Sequence, residues 1–227
     1  MELPLILINF KAYREGTGKN AVKLAKICDE VAKKYKLNIA IAPQYIDIRE
    51  IKSKVSVPIF AQHIDPVETA GAYTGHVVAE NLKEWISGTL INHSEKRISK
   101  EDIAKCIKIS KNFGLISVCC ASTPKEAGEI SMLAPDFIAI EPPELIGSGV
   151  SVSTARPEVV AQSIDKVRKT NPRIKVICGA GITNGEDVRK ALQLGTVGVI
   201  LSSGFVKSNN PEKVLIEFAE AVKGEER

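Results

Sequence analysis

The chain has 227 residues, 44% of them hydrophobic and 26% charged, with 31 basic against 27 acidic side chains for a net charge of +4. That composition suits a globular protein with a sizeable core, in one large domain or two small ones, and the even mix of charges, without a basic tail or basic segments interleaved with aromatics, argues against nucleic-acid binding. The longest N-terminal apolar stretch, residues 3–10, stops at Lys11, far short of the roughly 20 residues of a membrane span, and it lacks the basic start and cleavage site of a signal peptide, so no membrane association and a cytoplasmic location are expected.

In chain order, short β-rich apolar runs alternate with segments of helical period. Run one, "LILINF" (5–10), precedes the amphipathic segment "NAVKLAKICDEVAKKY" (20–35). Run two, "NIAIAP" (38–43), precedes "QYIDIREIKSK" (44–54), long enough only for a short helix. Run three, "VPIFAQ" (57–62), leads into "QHIDPVETAGAYTGHVVAENLKE" (62–84), which opens with a long loop that the alternation does not require. Run four, "GTLINH" (88–93), is followed by "KEDIAKCIKISKNF" (100–113), then run five, "LISVCC" (115–120), and run six, "FIAIE" (137–141). The segment "RPEVVAQSIDKVRKT" (156–170) separates run six from run seven, "KVICG" (175–179), and run eight is "GVILSS" (198–203). Helix starts are signalled at Asn184, with Glu186 and Asp187 in the first turn, and at Asn210 followed by Pro211.

Each run is apolar at consecutive positions, the pattern of parallel strands covered on both faces, and the segments between them carry apolar residues three and four apart, as crossover helices do. Eight such units in this length predict a closed (β/α)8 barrel, with a doubly wound open sheet as the competitor. No linker or composition shift divides the chain, so one domain over 1–227 is expected. The five cysteines (Cys28, Cys106, Cys119, Cys120, Cys178) are odd in number and show neither a CxxC pair nor zinc spacing. They suit a reducing compartment, with Cys119 and Cys120 acting as small hydrophobes.

Barrel chemistry collects where strands run out into helices. Run one ends with Asn9 and Lys11, two apart and so on one side of an extended chain. Run four ends with His93, Ser94 and Glu95, and run six with Glu141. Runs seven and eight end in the small residues of "CGAGIT" and "LSSGF", whose backbone a ligand can approach closely. Singly, each of these has an ordinary structural explanation. Together they supply a cation, a neutral donor, a carboxylate and a cradle for an anion.

The combination of "NFK", "NHSEKR", "AIEPPELIGSG", "CGAGI" and "GVILSSG", in order over essentially the whole chain, resembles triosephosphate isomerase in its short archaeal form. The resemblance implies interconversion of dihydroxyacetone phosphate and D-glyceraldehyde 3-phosphate through an enediolate, a step of glycolysis and gluconeogenesis, with no cofactor and no metal. It assigns Glu141 as the base that moves the proton and His93 as a neutral electrophile at the carbonyl oxygen, a protonation state known for this family. A helix beginning near Ser94 and Glu95 would help keep that imidazole neutral. By the same resemblance Lys11 stabilises phosphate and enediolate, Asn9 orients the substrate, Glu95 positions Lys11, Ser94 bonds the base between turnovers, and Arg97 holds a structural position near a dimer interface.

"PPELIGSG" looks like the family's closing lid, with Pro142 and Pro143 as the stiff hinge and Gly147, Ser148 and Gly149 as the flexible one. Main-chain amides of Ile146 and Gly147 would join those of Gly181, Ser202 and Ser203 on the phosphate. Thr74 and Gly75 match the "TG" of a loop that enters a neighbouring subunit, which implies a homodimer, with pairing into tetramers plausible. Trp85 suits either such a contact or a cap on the barrel bottom. Five positions depart from the bacterial and eukaryotic pattern: Asn92 for glycine, Gly181 for serine, Ser202 and Ser203 for two glycines, and Glu144 for tryptophan. Two alternatives stay open: an isomerase of another sugar phosphate, and a catalytically silent barrel that binds a phosphorylated metabolite.

Overall fold

The computed structural model describes residues 3–145 and 149–225. Eight strands, β1 (Leu5–Asn9), β2 (Asn38–Ala42), β3 (Phe60–Ala61), β4 (Gly88–Ile91), β5 (Ile116–Ala121), β6 (Phe137–Ile140), β7 (Lys175–Cys178) and β8 (Gly198–Leu201), form one sheet in the order β2-β1-β8-β7-β6-β5-β4-β3. Every pairing is parallel. The two ends of that order meet through a parallel bridge between Ile41 and Ile59, supported by Ile41 N–H donating to the Pro58 carbonyl at 3.0 Å. The sheet is therefore a closed ring, which removes the open-sheet alternative. Run three forms only a two-residue strand, because Pro58 lacks the N–H that a longer ladder needs.

Helices follow the strands: α1 (Lys19–Tyr35), α2 (Tyr45–Lys52), α3 (Ala79–Leu82), α4 (Lys100–Asn112), α5 (Pro124–Ser131), α6 (Val152–Ala155), α7 (Pro157–Thr170), α8 (Gly185–Gln193), α9 (Ser203–Val206) and α10 (Pro211–Glu225). Caps fix where they start. Side chains of Asn184 and Asn210 accept from the amides of Asp187 and Lys213 at 3.0 and 3.1 Å, as the sequence predicts. Ser99 and Thr123 do the same for α4 and α5.

Strand residues divide into two apolar sets. Leu5, Leu7, Ala40, Ala42, Phe60, Leu90, Val118, Cys120, Phe137, Ala139, Ile177 and Ile200 pack together without any helical residue, and so fill the barrel interior. Their neighbours, such as Ile6, Ile8, Ile39 and Ile138, pack with the helices. This two-sided burial is why the runs are apolar at every position. At about 1.5–3 kcal/mol for each fully buried large aliphatic side chain, a register slip exchanging the two sets is strongly disfavoured. Trp85 is half-buried ahead of β4, packed against the helix-side core with the Arg49 guanidinium 5.1 Å over its ring.

Candidate active site

The interior series continues past the strand ends. Asn9 stands two beyond Leu7 and Glu141 two beyond Ala139, so the pleat aims both into the mouth. Both are nearly buried, Asn9 5% and Glu141 6% exposed. Alternation would send His93 outward, since Leu90 is an interior residue and Ile91 packs with the helices. Asn92 breaks that alternation with φ +60°, and His93 turns inward. One cavity is lined by Asn9, Lys11, His93, Glu141, Gly181, Ser202 and Ser203. The structure thus brings together seven of the residues singled out in the sequence, from the ends of β1, β4, β6, β7 and β8.

His93 Nε2 lies 3.7 Å from Glu141 Oε1. The Glu95 amide donates to His93 Nδ1 at 3.2 Å, so Nδ1 is an acceptor and the ring's proton sits on Nε2, facing Glu141. The helix expected near Ser94 is not there. Residues 94–95 form a turn, closed by Lys96 N–H on the His93 carbonyl at 2.7 Å, and α4 begins at Lys100. The expected bond between Ser94 and the base is also absent: Ser94 Oγ and Glu141 Oε2 are both buried without a hydrogen-bond partner, because the carboxylate is turned toward His93. Beneath it lies Cys120, whose thiol is pushed well above its ordinary value by burial and then by the charge of Glu141, so it stays protonated and unreactive.

Lys11 Nζ pairs with Glu95 Oε2 at 3.0 Å, with the lysine side chain 12% exposed. Its backbone is left-handed, φ +50°, a conformation costing about 1–2 kcal/mol. Three side-chain amides offset that cost. Asn9 Oδ1 accepts from the Lys11 amide at 2.9 Å, while Gln44 and Gln62 donate to the Lys11 carbonyl at 2.9 and 3.1 Å and bond each other at 2.7 Å. These two glutamines stand at the ends of runs two and three, strand ends that offer no charged group to draw notice.

Gly181 has φ +76°, and a Cβ there would lie 1.9 Å from the Val150 carbonyl oxygen. Only glycine lets the chain returning from residue 149 pack on this loop, and Val152 N–H closes the contact on the Ala180 carbonyl at 3.1 Å. Ser203 and Gly204 open α9 beside the same cavity, and first-turn amides have no partner within a helix. Pro143–Leu145 form a 3-10 turn, from which Glu144 reaches Arg156 at 3.2 Å. Ile146 and Gly147, and with them Ser148, lie outside the described residues. Arg97 pairs with Glu126 on α5 and bonds the Asn92 carbonyl at 3.3 Å. Thr74 stands on an exposed loop and does not line the cavity of its own chain. Among the described residues no group of His, Cys, Asp and Glu is arranged to hold a metal, and no helix is long and apolar enough to cross a membrane.

The family model described as triosephosphate isomerase matches residues 4–222. The chain belongs to the triosephosphate isomerase family. It is 47% identical over 218 residues to the triosephosphate isomerase of Methanothermus fervidus, covering 96% of this chain and 98% of that one. Against the Methanosarcina barkeri protein of the same name it is 49% identical over 216 residues, 95% of this chain and 97% of the other. The Methanocaldococcus jannaschii protein is 46% identical over 214 residues, 94% and 97% of the two chains. The family, its barrel and its short archaeal branch agree with what the strand-end motifs imply.

Proposed function

We propose that the protein interconverts dihydroxyacetone phosphate and D-glyceraldehyde 3-phosphate, the activity for which its archaeal relatives are named, by base catalysis from Glu141. One observation carries the reading: a buried carboxylate oxygen, Glu141 Oε2, is left without a partner in the cavity where Oε1 lies 3.7 Å from the His93 ring. An unpaired buried acceptor costs about 1–3 kcal/mol, and such a cost is tolerated where the acceptor is kept for a reacting proton.

In the reaction, Glu141 takes the proton from the carbon beside the carbonyl and returns it to the neighbouring carbon. His93 donates from Nε2 to the substrate oxygens, its own Nδ1 fixed by the Glu95 amide. Lys11, held by Glu95, Gln44 and Gln62, places a cation where negative charge develops, and Asn9 orients the substrate. Backbone amides of Gly181, Ser202 and Ser203 receive the phosphate, joined by Ile146 and Gly147 when the lid closes and excludes water from the enediolate. No cofactor enters these steps. The retained base and lysine favour an enzyme over a silent metabolite-binding barrel.

The active form is a homodimer at least, working in the cytoplasm. Beside Lys11 opens a cleft of about 270 Å³ lined by Gln44, Tyr45, Gln62, His63, Val77 and Lys96, while residues 68–76 project into solvent with Tyr73 52% exposed. The projecting loop of one chain, with Thr74 near its tip, is suited to fill the cleft of another. Purified protein incubated with either triose phosphate and followed by NMR should reach one common equilibrium mixture. Tight binding of phosphoglycolate, the enediolate-like inhibitor, with no turnover in either direction would leave the silent barrel instead.

A further inference from the structure

Resting on that reading, we propose that Asn92 is a positioning residue, which through Glu126 and Arg97 sets the spacing between His93 and the base Glu141. Asn92 is 1% exposed, and every polar group of its side chain is engaged. Nδ2 donates to the Cys120 carbonyl at 3.1 Å and to Glu126 Oε1 at 3.2 Å, and Oδ1 accepts from the Ile98 amide at 3.2 Å. Its carbonyl takes a bond from Arg97, whose guanidinium also grips Glu126. Glu126 in turn accepts from the Ser122 amide at 2.7 Å.

These bonds join two chain segments that each carry one partner of the proposed reaction. On one side, the left-handed backbone at Asn92 turns His93 into the mouth. On the other, the bonded Cys120 carbonyl belongs to β5, and the carbonyl of the next residue, Ala121, accepts the Glu141 amide at 2.9 Å. The path from imidazole to base therefore runs through Asn92, Cys120 and Ala121. A glycine at 92 would supply the same φ and none of the bridge. The asparagine supplies both, and Glu126 and Arg97 fix which way its amide points.

The test compares Asn92→Gly, which keeps the backbone conformation, with Glu126→Ala and with the double variant. Wild-type turnover on triose phosphate is the control for the isomerase reading. The ratio of variant to wild type, together with the nitrogen NMR signals of His93, tests the bridge. In Asn92→Gly, kcat should fall about 10- to 100-fold while affinity for inorganic phosphate stays within about threefold, and the His93 signals should depart from those of a fixed Nε2–H tautomer. Glu126→Ala should lose activity in the same direction, and the double variant should lose less than the product of the two single effects. Turnover of Asn92→Gly close to wild type, or a fall in phosphate affinity matching the fall in kcat, would overturn the proposal. Should Asn92→Gly fail to fold, Glu126→Ala decides it, and unchanged kcat with unchanged His93 signals would overturn it equally.

Discussion

In the proposed mechanism Glu141 and Lys11 divide the work at the residue scale, and substitutions separate them. Glu141→Asp withdraws the carboxylate by about one methylene, so turnover should drop by on the order of a hundredfold or more while binding of phosphoglycolate is largely kept. An equal loss of binding and turnover would contradict the division. Lys11→Met should weaken both together, because in the proposed mechanism its charge serves the phosphate as well as the enediolate, and unchanged phosphoglycolate affinity would count against that role. Charged and catalytic-looking residues at strand ends were legible in the sequence because chemistry restricts which types can serve. Their supports were not. Gln44, Gln62 and Glu126 have ordinary surface-type side chains, and only the closed ring brings the first two onto the Lys11 carbonyl and the third onto Asn92.

At the scale of elements, the apolar runs foretold eight strands, since burial on both faces leaves a continuous signature. Their lengths were less legible: Pro58 cuts the ladder of β3 short, and the turn at residues 94–95, where a helix start was read, follows from bonds to the His93 ring and carbonyl that no local pattern displays. The contact between the segment at residues 150–151 and the loop after β7 leaves no room at Gly181. Gly181→Ala should therefore displace residues 150–152, costing about 1–3 kcal/mol of stability and lowering kcat/KM by on the order of tenfold through impaired closure. Wild-type melting and kinetics in that variant would show that the segment is free to shift. A second element-level device is the pair that ties the stem of the projecting loop. Asp65 accepts from the Val77 amide at 2.6 Å and from His63 Nε2 at 3.2 Å. Burial depresses His63 below its ordinary value of 6.5, partly opposed by Asp65. The folded value lies below the unfolded one, so this contribution to stability is complete above pH 6.5 and is lost as pH falls through the folded value. His63→Gln should flatten the decline of melting temperature just below pH 6.5, and an unchanged slope would show that other groups cause it.

For the whole molecule, the proposed dimer seats the exposed loop at residues 68–76 of one chain in the cleft beside Lys11 of another, and full activity is expected to depend on that exchange. Trimming residues 66–74 should give weakly active monomers by light scattering, and a fully active monomer would contradict the exchange of loops. A reaction that moves a proton through an enediolate leaves its own trace, whichever residue assists it. The most direct measurement is incorporation of solvent deuterium into dihydroxyacetone phosphate and its product, followed by NMR. With Glu141 as a base open to exchange, deuterium appears at the reacting carbons in the wild type and is lost in Glu141→Gln. Exchange that persists undiminished in Glu141→Gln, or isomerisation with no deuterium in either triose phosphate, would contradict the assignment of the base.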